Sequence, residues 1–209
     1  MREIYEAQIA ARKATLAEKL KTLLPTGNVY KTLEIGCGHG HFLVHHAQTY
    51  AERFCLGIDL ISQRLAAAER KAQRAALTNC YFLKARAEEL SGCLPMGFLW
   101  NEILIFYPDP WPKKRHHKHR LLQENFLSQL SKCVVPDARL HFETDDEDYF
   151  EAVCDCVAQH PNWEQTDEHL YTVDTLFAER TGRNGKHAVF ACVKKDEQAA
   201  DNTTEPISV

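Results

Sequence analysis

Three groups of residues in this 209-residue sequence have the types and spacing to do chemistry. The first is Glu34-Ile35-Gly36-Cys37-Gly38-His39-Gly40, where closely spaced glycines let backbone amides approach a ligand. Asp59 follows Gly36 by 23 residues and closes an apolar run, a place from which an acid accepts hydrogen bonds from ribose hydroxyls. Together they point to an adenosine-containing cofactor. The spacing is G-x-G-x-G, whereas the dinucleotide fingerprint places its third glycine one residue later, which favours S-adenosylmethionine over a nicotinamide dinucleotide. Glu34 suits the sulfonium or, through water, the ammonium group of that cofactor. The bland alternative is a strand-turn-helix corner with helpful glycines.

The second group is Tyr107-Pro108-Asp109-Pro110-Trp111-Pro112, in which three prolines stiffen a turn and hold Asp109 beside an aromatic ring. A planar base could stack on Trp111 while Asp109 accepts its N–H donors. A capped helix entrance would use the same residues. The third group follows at once: residues 111 to 120 carry Lys113, Lys114, Arg115, Lys118 and Arg120, with His116, His117 and His119 between them and no acid. Such a run is commonly a solvated helix face. Read as the start of the helix RLLQENFLSQL, however, its cations oppose the helix dipole unless anions such as phosphates sit among them, with Lys113 nearest the Asp109 turn. Thr144 and Asp145 close a further apolar run, where Asp145 either joins the same rim or caps the helix that follows. A late polar loop offers Thr175 and Glu179 ahead of Gly182 and Gly185.

The composition frames these groups. Apolar residues are 44% and charged residues 26%, a globular balance, and the net charge is -4. Removing the five positive charges of the basic decamer leaves -9 on the remainder, while residues 141 to 155 carry seven acids and no Lys or Arg. Broad coating of nucleic acid is excluded, but local capture of a polyanion is not. The eight cysteines form no C-x-x-C pair and the histidines lack ligand spacing, so no metal is expected, and the thiols suit a reducing compartment. With no signal-like start and no long apolar run, a cytoplasmic protein without a membrane partner is expected.

The elements that must position these residues alternate. Residues 1 to 24 read as a leading helix closed by Pro25-Thr26-Gly27-Asn28. Strands are expected at 31–35, 54–59, 79–85, 102–107 and 138–144 with helices between, and a last strand, antiparallel for want of a crossover helix, at 187–195. This pattern predicts a doubly wound α/β domain with its functional residues at the carboxyl ends of the strands. One domain is expected over residues 1–195, with 1–28 as leading helix and turn and a disordered polar tail over 196–209.

The succession LEIGCGHGHF, GID, FYPDPWPKKRHHKHR and ETD, with the late T-x-F loop, resembles the bacterial tRNA (guanine-N7)-methyltransferase family over about residues 30 to 193. The resemblance implies a Rossmann-like class I S-adenosylmethionine-dependent methyltransferase fold with a mostly parallel seven-stranded sheet. It implies methyl transfer to N7 of a tRNA guanine, the variable-loop guanosine, by a monomer or homodimer. Glu34, Gly36, Gly38, Asp59, Arg86, Ala87 and Asp109 would hold the cofactor, with Asp109 also catalytic. Lys113, Asp145, Thr175 and Glu179 would contact substrate, and Lys114, Arg115, His116, Lys118 and Arg120 the RNA. Two positions depart from the pattern: Arg86 stands where an aspartate is usual, and Ala178 stands where the late loop usually has its acid, with Glu179 one place later. Two other functions compete, a methyltransferase for another nucleobase or small amine, and a non-catalytic tRNA-binding protein with a decayed cofactor site.

Overall fold

The computed structural model describes residues 2–168 and 185–193. The leading helix α1 covers Arg2–Leu23; then β1 (Lys31–Ile35), α2 (His41–Thr49), β2 (Phe54–Asp59), α3 (Ser62–Arg74), β3 (Cys80–Lys84) and a single turn α4 (Ala87–Leu90) alternate. The second half runs β4 (Trp100–Phe106), a 3₁₀ segment (Lys114–His119), α5 (Glu124–Ser131), β5 (Val134–Thr144), α6 (Glu147–Ala158), β6 (Trp163–Thr166) and β7 (Lys186–Cys192).

The seven strands form one sheet in the order β3-β2-β1-β4-β5-β7-β6. The first five are mutually parallel, and β7 runs antiparallel to both β5 and β6. This is the Rossmann-like arrangement expected. The chain winds outward from β1 to β3 and then crosses back to β4, so the crevice at the carboxyl ends of β1 and β4 is the topological switch point.

The central strands β1 and β2 are short runs with both faces covered; all six residues of β2 are buried. Leu33, Ile35, Leu56, Ile58, Ile103, Ile105, Leu140 and Phe142 point into the larger core under α1, α5 and α6. Leu16, Leu20 and Leu24 on one side and Tyr149, Val153 and Val157 on another supply the four-residue spacing that a helix needs to close over them. On the opposite face, Leu65, Ala68 and Ala72 of α3 pack with Leu43, Val44 and Ala47 of α2 over Cys55, Cys80 and Phe82. Arg12 of α1 makes a two-pronged ion pair with Glu89 of α4 and so fastens the leading helix to the rest.

Beneath α2 the same face is polar. Glu102 of β4 is almost wholly buried; Thr32 Oγ1 donates to its Oε2 at 2.9 Å, with Arg53 Nη1 at 3.4 Å. His46 Nε2 lies 3.5 Å from Oε2 and His141 Nε2 3.3 Å from Oε1. Arg53 is itself stacked over Tyr50 and Tyr30, at 3.9 and 4.3 Å from the ring centroids.

Several boundaries differ from expectation. The strand β6 has only four residues at the sheet edge and too little apolar alternation to be read beforehand. The strand β5 begins four residues early: Pro136 cannot donate to the ladder and Asp137 takes φ 61°, so an irregularity interrupts its pairing with β4 rather than ending it. The basic run does not open α5. It forms its own 3₁₀ segment, and α5 starts later, at Glu124. The proposed tail lies outside the described residues. No helix among the described residues is long and apolar enough to cross a membrane.

Burial pulls the His46 imidazole down to about 4 from its ordinary 6.5. Between those values the unfolded chain binds a proton that the folded chain refuses, so stability falls as pH falls through the window. The His46 contribution, read as the difference between the urea-unfolding profiles of the unaltered chain and His46→Gln, should be a loss on the order of 1–2 kcal/mol from pH 7 to pH 5, opposite in sign to that of the raised Glu34 carboxyl.

Candidate active site

The glycine turn between β1 and α2 is anchored on β2, since Gly36 N and Cys37 N both donate to Ile58 O, at 2.8 and 3.0 Å. Its glycines do two jobs. Gly36 and Gly38 sit at φ 80° and 53°, and a Cβ on either would project into open space, so the backbone itself lines the crevice. At Gly40 a Cβ would meet Ala68 and Phe82 at 2.6 to 2.9 Å; that glycine serves close packing of α2 on α3 and β3.

Asp59 is buried at the end of β2 and braces the turn, accepting from Gly38 N at 3.0 Å and from Ile61 N at 2.8 Å. Each of its oxygens keeps acceptor capacity for a further donor. Glu34 is 5% exposed, and its Oε2 has no hydrogen-bond partner. Burial first, then the neighbouring Asp59 charge, push its carboxyl up to about 8, although the Leu43 amide opposes the shift. Without a cation in the crevice, Glu34 is therefore protonated at neutral pH. An orphaned acid beside two bare glycine backbones and a ribose-competent carboxylate fits a cationic, adenosine-bearing cofactor. Arg86 is exposed and precedes α4, with Ala87 half-buried at the first position of that turn. Leu60 and Ile61 are 52% and 40% exposed directly after Asp59 and offer apolar surface to a planar ring. Sequence reasoning does not single them out, although two apolar residues after a strand-ending acid are the available signal.

The turn after β4 is held in two left-handed residues, Tyr107 and Trp111, both at φ 48°. For non-glycine residues this conformation costs about 1–3 kcal/mol each. Tyr107 N donates to Glu143 O at 2.7 Å and its hydroxyl donates to Glu143 Oε1 at 2.5 Å, bonds worth about 0.5–1.5 kcal/mol apiece and so of the size needed to offset the strain. Gly185 makes room for that pair, because a Cβ there would lie 2.6 Å from the Tyr107 hydroxyl. Asp109, at the apex, is exposed and has no side-chain partner among the described residues. Trp111 is 37% exposed, its ring near His119 and edge-on to His116 at centroid distances of 5.2 and 5.9 Å.

Lys113, Lys114, Arg115 and Lys118 are exposed on the segment that follows, with His116 half-buried. Arg120 is different. It is 6% exposed, and its guanidinium is spent on Pro110 O and Asp148. At the end of β5, Asp146 rather than Asp145 caps α6, accepting from Tyr149 N at 2.7 Å, which leaves Asp145 exposed on the rim. Thr144 is buried, and its Oγ1 accepts from Asp146 N. Thr175 and Glu179 lie outside the described residues. Asp59, the glycine turn, Asp109 and Asp145 thus follow four adjacent strands along one edge, about 14 Å from β2 to β5 at ordinary strand spacing. Among the described residues no group of three or more His, Cys, Asp or Glu side chains could hold a metal ion, and all eight cysteines are free thiols.

Residues 28–204 match the Methyltransf_4 family of methyltransferases. The chain belongs to that family. The matched span takes in every site element from the glycine turn to the late loop. Among curated relatives, a tRNA (guanine-N(7)-)-methyltransferase of Rubrobacter xylanophilus is 34% identical over 66% of this chain and 62% of its own length. One from Halorhodospira halophila is 37% identical over 65% of this chain and 59% of its own. The matched region thus spans about three fifths of these relatives. Among solved structures, the aminoglycoside resistance methyltransferase NpmB1 superimposes with a TM-score of 0.57 at 20% identity, covering 85% of this chain and 93% of that one. An rRNA methylase from Streptococcus thermophilus gives 0.55 at 12% identity over 88% and 95%. These likenesses establish the family and its fold.

A cation bound against Glu34 would displace its proton below about 8, so if S-adenosylmethionine is that cation its affinity should strengthen by up to about tenfold per pH unit up to that value and level off above it. Calorimetry in buffers of different ionisation heat should register the released proton, and Glu34→Gln should abolish both effects.

Proposed function

We propose that this protein transfers a methyl group from S-adenosylmethionine to N7 of a tRNA guanine, the variable-loop guanosine. The observation that carries the reading is the continuity of the rim. Asp109, unpartnered among the described residues, stands on a strained, proline-fixed turn between a crevice suited to a cationic cofactor and a segment of exposed cations. The names of the curated relatives point the same way.

Glu34 would face the sulfonium, Asp59 the ribose hydroxyls, and Gly36 and Gly38 would let the ligand lie against the backbone. When bound, the cofactor supplies an electrophilic methyl group. Guanine N7 carries a lone pair and no proton, so this chain needs no general base. Its tasks are to bring the base in, orient it and stabilise the positive charge that the purine acquires. Asp109 is placed for the last two tasks: its carboxylate is free to accept from the base and to favour the cationic product. Trp111 offers a ring face on which an unstacked base can rest. Lys113 continues directly from the turn, and Lys114, Arg115 and Lys118 meet phosphates. The surface expected of a small-molecule methyltransferase gives no reason for that last set.

Labelled-methyl transfer to bulk tRNA, followed by chemical cleavage at N7-methylguanosine, tests cofactor, substrate and atom together; absence of cleavage would overturn the reading. Asp109→Ala should lower turnover by about 100-fold or more while tRNA affinity changes little. Replacing Lys114, Arg115 and Lys118 by Ala should do the reverse. It should weaken binding and flatten the plot of log affinity against log salt by about 0.7 to 0.9 for each phosphate no longer neutralised.

A further inference from the structure

We propose that Arg120 is a positioning residue that sets the Asp109 turn, and that it makes no contact with RNA phosphate; the proposal rests on the methyl-transfer reading above. Residues 110 to 120 form a closed loop. Its neck is the bond from Arg120 Nε to Pro110 O, at 2.7 Å. Within it the Trp111, His116 and His119 rings lie against one another, and Lys113, Lys114, Arg115 and Lys118 are exposed.

The Arg120 guanidinium is committed through Nε and Nη2 and through its face. Nη2 donates to Asp148 Oδ2 at 2.7 Å and lies 3.6 Å from Asp146 Oδ1, and the group stacks on Tyr149 with its centre 4.8 Å from the ring centroid. Its side chain is 5% exposed. Its backbone is fixed as well, since Arg120 N donates to His117 O and Gln123 Nε2 donates to Arg120 O. Turning the side chain outward to a phosphate would take the donor from the Pro110 carbonyl and from Asp148 and the counter-charge from Asp146.

What this commitment fixes is the turn. Tyr107 is pinned to Glu143 on one side, and Pro110 is pinned to Arg120 on the other. The ring torsions of Pro108 and Pro110 are locked, so few free rotations remain between the two anchors, and Asp109 lies between them. The partners of Arg120 are Asp146, Asp148 and Tyr149, the first residues after Asp145. One guanidinium therefore sets the two exposed rim acids, Asp109 and Asp145, relative to each other, and joins the cation-bearing loop to both.

The test uses the full chain with Arg120→Lys and Arg120→Met, and Asp148→Ala as a gentler cut of the same clamp from an exposed side. Turnover at saturating tRNA should fall at least about tenfold in the Arg120 variants and less in Asp148→Ala, with KM for tRNA and the salt slope of binding unchanged. In protein labelled with 5-fluorotryptophan, the Trp111 fluorine resonance should shift or broaden while those of Trp100 and Trp163 stay put. A flattened salt slope and weaker tRNA binding with turnover intact would overturn the proposal and make Arg120 a phosphate contact. Should the unaltered chain methylate no tRNA, the methyl-transfer reading fails by itself. The fluorine signal still decides the clamp, because an unmoved Trp111 resonance in Arg120→Met would overturn it.

Discussion

A carboxylate buried in a protein must be neutralised, and one face of this sheet buries two glutamates. Glu34 and Glu102 lie on neighbouring strands two residue pairs apart, since Thr32 is registered with Glu102 and Glu34 with Leu104. Glu102 is answered from within: a hydroxyl, a stacked arginine and two histidines surround it. One of those histidines, His46, belongs to the last turn of α2, and the first turn of α2 closes the glycine loop. The helix that roofs the crevice is thus seated at its far end, through His46, against the polar cluster around Glu102. Glu34 receives no such answer. It is left to a proton, or to a cation from outside, and that difference between two acids of one face separates scaffold from site.

The rest of the rim follows from parallel strands ending on the same side. Five parallel strands end along one edge, yet among the described residues only the loop after β4 is strained at two non-glycine residues. Strain of this kind persists where surrounding contacts over-determine it. Here those contacts come from Glu143 and Gly185 at one end and Arg120 at the other. The consequence is an acid that is exposed and, among the described residues, unpartnered yet has little freedom to wander, as the proposed orientation of a base would require.

The alternation of apolar runs with helix-forming stretches carried most of the fold. Its central strands were legible because FCLGID and KTLEI are short, apolar and bounded by turn residues. The antiparallel last strand was legible from the missing crossover helix. Illegible were features decided by tertiary contact: β6, which exists because β7 offers it an edge, and the early start of β5 across a proline irregularity. In the site, residue types were legible and their engagements were not. Adjacent aspartates, Asp145 and Asp146, divide between rim and cap according to which one Tyr149 N can reach. The exposed pair Leu60 and Ile61 carries no periodic signal, and the fate of Arg120 depends on Pro110, ten residues before it, and on a helix 28 residues further along.

Charge distribution ties these points together. The net charge of -4 hid a basic decamer on an acidic body, and the acidic stretch from Glu143 to Asp155 looked like its electrostatic opposite. In the fold the two stretches meet. Asp146 and Asp148 draw Arg120 inward, and Asp148 also lies 3.8 Å from His117 Nε2. By holding the end of the basic loop against α6, the acids leave its four remaining cations facing out beside Asp109. The acidic residues are therefore no bar to a polyanionic partner. They are the means by which the positive charge is aimed, and a sequence with the same net charge but its acids scattered elsewhere would have no device for presenting the loop beside the Asp109 turn.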